Sequence, residues 1–178
     1  MENYEFSLTL HGVNENTPNI DDLLYEAGCD DALVCYYGQA MYLTFNRDAV
    51  DYQTAVITAI KDVESAHPDA KVACVDAGDY VGLSDIAELS DVTRASITQL
   101  KDGIRGNGGF PYPIQRLQGK RPLWRWSEVA QWLSTQDKIP KALAENARIT
   151  EFMNVALELR NKKKKQQVEM LVEQLSVA

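Results

Sequence analysis

Between Gly103 and Pro113 the chain cannot hold a helix. Gly103, Gly106, Gly108 and Gly109 fall within seven residues, and Pro111 and Pro113 follow. Glycine loses the most backbone freedom in a helix and proline lacks the amide proton a helix needs. This break separates two stretches with helical spacing. Upstream, a helix is predicted to start near Ser84, whose hydroxyl can cap it, with Ile86, Ala87 and Leu89 on its apolar side. Ser90-Asp91 interrupts that pattern, Val92 plugs the turn, and Thr93 can cap a second helix with Ile97 and Leu100 facing inward. Downstream, Ile114–Leu117 and Leu123–Trp126 read as two short strands joined at Gln118-Gly119-Lys120. Ser127 is then placed to cap a closing helix on which Val129, Trp132 and Leu133 share one face.

The outer face of the second helix carries Thr93, Arg94, Ala95, Thr98 and Gln99, with Lys101 at its end and Arg105 just beyond. Arg116, Lys120, Arg121 and Arg125 decorate the predicted hairpin. Side chains of these types on a short helix can reach phosphates and base edges in a major groove, and a basic hairpin beside it can lie on a nucleic-acid backbone. The spacing of Ala87, Asp91, Val92, Ile97 and Leu100 suits a helix-turn-helix, with Asp91 in the turn position that favours a left-handed backbone.

GFPYP followed by WRWSEVAQWL resembles the prophage-regulator and excisionase (AlpA-type) group of MerR-like winged helix-turn-helix proteins. Phe110, Pro111, Pro113, Trp124, Glu128, Val129 and Trp132 carry the resemblance, which covers about a third of the chain. It implies sequence-selective binding of double-stranded DNA. The second helix would enter the major groove and the wing would lie on the backbone or in the minor groove. The sequence departs from that group by its glycine-rich insert RGNGG and by Asp91 where glycine is usual.

A net charge of −8 looks wrong for a DNA-binding chain until its distribution is read. Residues 1–89 hold seventeen acidic residues against Arg47, Lys61 and Lys71, whereas residues 90–126 hold seven basic residues against Asp91 and Asp102. Positive charge is concentrated where the motif lies. An acidic neighbour repels DNA elsewhere and weakens non-specific binding.

The N-terminal part reads as β-α-β-β-α-β. Tyr4–Leu10 alternates as a strand, and Ile20, Leu23, Leu24 and Ala27 follow helical spacing up to Gly28. Ala32–Tyr37 and Gln39–Phe45 flank Gly38 as a hairpin, Tyr52–Ala66 is a helix stopped by His67-Pro68-Asp69, and Lys71–Val75 is a last strand. The order suggests a ferredoxin-like split βαβ domain. RNA-recognition domains share that topology. Here, however, Ala40 stands where an aromatic would stack on a base, no basic residue opens the run Gly38–Phe45, and the domain is acidic. Pairing with a second copy or with a partner protein is the expected role.

After Pro140 the chain reads as a helical arm. Leu143, Ile149, Phe152, Met153, Ala156, Leu157 and Leu159 form a broad apolar face. Asn161 and Lys162–Lys165 interrupt it, and Val168, Leu171, Val172 and Leu175 resume it. The lysine run is read as a solvated face rather than a DNA contact, and the last apolar stripe as a partner surface.

The expectation is therefore an α+β chain in three parts: residues 1–78, an acidic ferredoxin-like domain; residues 79–137, a winged helix-turn-helix; and residues 138–178, a helical arm. Cys29, Cys35 and Cys74 lack CxxC spacing and His11 and His67 lack metal spacing, so no metal and no cofactor is expected. Phosphate-loop and nucleophile-elbow motifs are absent, so no enzymatic role is expected. No apolar run is long enough to span a membrane and the N-terminus does not read as a signal peptide. The expected protein is a soluble, cytoplasmic, nucleoid-associated repressor acting as a homodimer on double-stranded DNA. The alternatives are an excisionase-like DNA-bending factor and an antitoxin-like module whose acidic half binds a basic partner.

Overall fold

The computed structural model describes residues 1–76 and 79–176. Residue 78, the expected end of the first domain, and Ala178 lie outside the described residues. The protein is a mixed α+β fold with seven helices and a four-stranded antiparallel sheet among the described residues. The chain falls into two compact units. One comprises Met1–Asp76 with the chain from Phe152 onward, and the other comprises the intervening residues up to Glu151. No described helix is long and apolar enough to cross a membrane.

The first unit is built on β1 (Glu2–His11), α1 (Ile20–Glu26), β2 (Ala32–Tyr37), β3 (Ala40–Ala49), α2 (Tyr52–Ala66) and β4 (Lys71–Asp76). The sheet order is β2-β3-β1-β4, with every neighbouring pair antiparallel. Alternation decides the buried face. Phe6, Leu8 and Leu10 of β1 lie opposite Phe45, Leu43 and Met41 of β3, and all six are buried. Phe6 and Phe45 stack with centroids 5.3 Å apart. Helix α2 starts at Asp51, whose carboxylate accepts from the Thr54 amide at 2.7 Å, and lays Val56, Ala59, Ile60 and Val63 into this core. Gly12 has φ +82°, and a Cβ there would lie 2.0 Å from the Asp69 carbonyl oxygen, so only glycine fits.

β3 runs four residues beyond the predicted Phe45 end. The reason is Arg47, a charged residue at an inward position with only 7 % of its surface exposed. Its guanidinium donates to Asp31 at 2.7 and 2.9 Å, to Asp62 at 2.7 Å and to the Gly28 carbonyl at 2.7 Å. Burial works against the Arg47 charge, but its hydrogen bonds to Asp31 and Asp62 outweigh that cost and hold its pKa above the ordinary arginine value. The acidic segment Gly28–Ala32 thus supplies a counter-ion and a carbonyl to the core.

The two sheet edges are treated differently. Helix α6 (Lys141–Leu159) belongs to both units, with its residues from Phe152 in the first. Its apolar face differs from the predicted one. Phe152 is 57 % exposed, while Asn154 is buried. The Asn154 side chain accepts from the Val75 amide at 2.7 Å and donates to the Val75 carbonyl at 2.9 Å. Farther along the same edge, Glu64 accepts from the Val72 amide and Arg160 donates to the Val72 carbonyl. The β4 edge is therefore closed by polar side chains. Helix α7 (Lys162–Ser176) begins where the Asn161 side chain accepts from the Lys163 and Lys164 amides, and none of its described residues is buried.

The second unit holds β5 (Tyr80–Val81), α3 (Leu83–Ser90), α4 (Arg94–Lys101), β6 (Trp124–Arg125), α5 (Trp126–Thr135) and the first part of α6. Its core joins Val81, Ile86, Ile97, Leu100, Phe110, Trp124, Val129 and Leu133. Asp91 adopts φ +52° after α3, and Val92 packs against this core. Three expectations change here. Helix α3 starts one residue before Ser84, and Asp85 rather than Ser84 serves its start, accepting from the Gly82 amide at 2.7 Å. Helix α5 starts at Trp126 without a side-chain cap, because the Ser127 hydroxyl donates instead to Glu151 at 2.6 Å. The predicted hairpin is reduced to the single bridge Gln115–Leu123, closed by a turn in which the Gly119 amide donates to the Arg116 carbonyl at 2.9 Å. Pro113 and Pro122 offer no amide proton and Arg116 sits at φ +55°, so a longer ladder cannot form. Trp124 and Arg125 turn away to pair with Val81 and Tyr80.

Candidate nucleic-acid interface

Aromatic clamps fix the glycine-rich loop that follows α4. Trp124 Nε1 donates to the Pro111 carbonyl at 3.0 Å and Trp132 Nε1 to the Gly108 carbonyl at 3.2 Å. Phe110 meets both indoles edge-to-face, at 6.3 and 5.0 Å between centroids. Gly106, Gly108 and Gly109 take φ between +72° and +79°, a path few other residues adopt. Phe110 and Trp124 are thus buried and anchor the glycine-rich segment, whereas Gly109 and Tyr112 are exposed, Tyr112 at 86 %.

Beyond that loop, Arg94 at the first turn of α4 and Arg116, Lys120 and Arg121 of the hairpin line one cleft of about 490 Å³. The first turn of α3, with Ser84 and Asp85, closes its other side. None of the four cations makes an ion pair among the described residues, and the one carboxylate lining the cleft, Asp85, is engaged by the Gly82 amide. Four unpaired positive charges around one cleft repel one another and are relieved by an anion.

The other predicted residues lie as follows. Thr93 is the α4 N-cap and accepts from the Ser96 amide at 3.2 Å, which leaves it at the exposed end beside Arg94 and Ala95. Thr98 is half-buried and its hydroxyl donates to the Arg94 carbonyl, and Gln99 is also half-buried. Lys101 pairs with Asp102. Arg105 lines a different cleft, with Ser96, Asn107 and Gln136. Arg125 is taken up inside the unit by Glu151 at 2.8 Å and Glu128 at 3.6 Å, with its guanidinium 5.5 Å from the centre of the Tyr80 ring. Burial opposes its charge, but Glu151, Tyr80 and Glu128 raise its pKa above the ordinary value. So Arg94, Arg116, Lys120 and Arg121 are brought together, whereas Lys101, Arg105 and Arg125 are not part of that group.

Sequence reasoning missed the part played by the α3 start. Ser84 and Asp85 line the cleft, but in the sequence they read only as helix-start residues. The one signal was their distance of ten residues or fewer from Arg94. Among the described residues, no group of three or more His, Cys, Asp or Glu is placed to hold a metal ion. Comparison with family models, curated proteins and solved structures yields no match. The class is set by the fold itself, a mixed α+β protein whose second unit gathers unpaired cations beside two short helices.

Proposed function

We propose that the second unit is a winged helix-turn-helix that binds double-stranded DNA, and that the protein is a sequence-specific transcriptional repressor. In this reading α4 enters the major groove by its N-terminal end, and the Arg116–Arg121 turn is a wing on the flanking backbone or minor groove. The observation that carries it is the meeting of Arg94 with Arg116, Lys120 and Arg121 around one cleft, none of them in an ion pair among the described residues. Two further features support it. Helices of eight residues each are separated by Asp91-Val92-Thr93, with Asp91 left-handed. The Phe110, Trp124 and Trp132 pattern also resembles the AlpA-type group. For the first unit, the strand order β2-β3-β1-β4 with helices after β1 and β3 supports a ferredoxin-like reading. Its acidic surface makes it a protein-pairing domain, and the regulator is a homodimer that reads two half-sites. No chemistry is involved. Occupancy of the site blocks transcription.

The test is the salt dependence of binding to a labelled duplex, followed by fluorescence anisotropy. Neutralising three or four phosphates gives a log–log slope of roughly −3 to −4 per protomer. Replacing Arg116, Lys120 and Arg121 by Ala should remove about three contacts from that slope, whereas Arg105→Ala should leave it nearly unchanged. A wild-type chain that does not bind duplex at low salt overturns the proposal.

A further inference from the structure

The β4 edge of the sheet is sealed by Asn154, Glu64 and Arg160, but the opposite edge has no strand or side chain bonded along it among the described residues. That edge is β2, with the sequence ALVCYY and no charge. The Asn46 amide donates to the Asp31 carbonyl, which turns the polar groups of odd-numbered β2 residues toward β3 and those of Val34 and Tyr36 outward. No hydrogen bond from a described residue reaches the Val34 or Tyr36 backbone on that side. The side chains add to the exposure. Leu33 is 67 % and Tyr37 84 % exposed, both on the sheet face away from the core residues Leu43 and Met41. Unpaired strand edges that are flat, apolar and uncharged attract another strand.

We infer that β2 pairs antiparallel with β2 of a second copy, in the register centred on Cys35. Two observations select a second copy. The unit is strongly acidic, so a basic partner would settle on its charged surface, whereas a like-charged copy can approach closely only through a neutral strip such as this one. The strip is also self-complementary. Leu33 and Tyr37 stand two residues either side of Cys35, so antiparallel self-pairing sets each Leu33 opposite the other copy's Tyr37 and buries both apolar pairs. The same register joins Val34 to Tyr36 through their outward backbone groups. It keeps the helices of both copies on one side of a continuous eight-stranded sheet. Cys35 then faces its own copy at a non-hydrogen-bonded position, where cross-strand Cβ atoms come closest. This deepens the homodimer part of the proposed function and does not depend on DNA binding.

The experiment uses the full chain, oxidised with copper–phenanthroline after sedimentation analysis. The expected result is a dimer that becomes covalent through a Cys35–Cys35 disulfide, identified by peptide mass spectrometry, and a Cys35→Ser chain that still dimerises without the link. L33K/Y37K, placed at exposed positions that leave the fold intact, should weaken the dimer by about tenfold to a hundredfold. L33K/Y37E should restore it, because each new lysine then faces a glutamate of the other copy. A dimer that is indifferent to L33K/Y37K, or that cross-links elsewhere, overturns the β2 inference while leaving the homodimer standing. A chain that stays monomeric at high micromolar concentration overturns both and leaves the edge to a strand of another protein. DNA binding measured on the same samples reports separately on the second unit.

Discussion

Replacing Arg47 with Met tests whether the first unit is held together by this buried cation. The aliphatic stem is conserved, so packing against Phe45, whose ring centre lies 4.9 Å from the guanidinium carbon, is largely kept. What disappears is the guanidinium that joins Asp31, Asp62 and the Gly28 carbonyl. Stranding a fully buried charge costs about 3–5 kcal/mol. Here the Asp31 and Asp62 side chains remain 28 % and 33 % exposed, so water recovers part of that loss. The expected cost is about 2–3 kcal/mol, a fall in Tm of roughly 10–20 °C for a unit of about 100 residues. Urea unfolding followed by circular dichroism measures it. R47M/D31N/D62N should regain most of the loss, since no carboxylate is left unpaired, and Arg47→Lys should fall between because a point charge cannot serve all three acceptors. An R47M chain within about 0.5 kcal/mol of wild type would refute the claim that this cluster holds the unit together.

The remaining predictions address the thiols, the sealed edge and the terminal helix. Burial, reinforced by Asp62, pushes the Cys29 thiol up to about 12, so an alkylating reagent at mildly alkaline pH should label Cys35 and Cys74 in the folded protein and reach Cys29 only after denaturation. Asn154→Ala strips partners from both the Val75 amide and carbonyl and should cost about 2–4 kcal/mol in urea unfolding, with faster hydrogen exchange along β4. Because α7 buries none of its described residues, ending the chain at Asn161 should shift Tm by less than about 2 °C, measured by calorimetry.

Periodicity made the apolar skeleton legible. Strand β1, helix α2 and the two short helices with Asp91 between them follow from alternation, helical spacing and capping. The departures share a physical cause, namely polar groups that act inside the fold through distant partners. Arg47 occupies a core position because Asp31 and Asp62 arrive from other elements, and Asn154 displaces Phe152 as the inward residue because it closes a strand edge 79 residues away. Neither partner is visible to a local pattern. Net charge along the chain showed where cations are concentrated, but which of them meet depends on the left-handed Arg116 and on Glu151 capturing Arg125. The hairpin is shorter than the strand-forming residues suggest because Pro113 and Pro122 remove ladder donors on both of its arms.

In the proposed function the α4 start reads bases while the Arg116–Arg121 turn holds backbone. The most direct measurement selects bound duplexes from a randomised pool with the wild-type, Arg94→Ala and Arg121→Ala chains. From the first turn of α4, Arg94 can reach the O6 and N7 of a guanine. Wild type should enrich one consensus, and Arg94→Ala should lose preference at one base pair of each half-site, at about 1–3 kcal/mol. Arg121→Ala should keep the consensus and weaken all sequences alike. If the Arg94→Ala chain returns the wild-type consensus with equal discrimination at every position, the assignment of α4 as the reading helix is wrong.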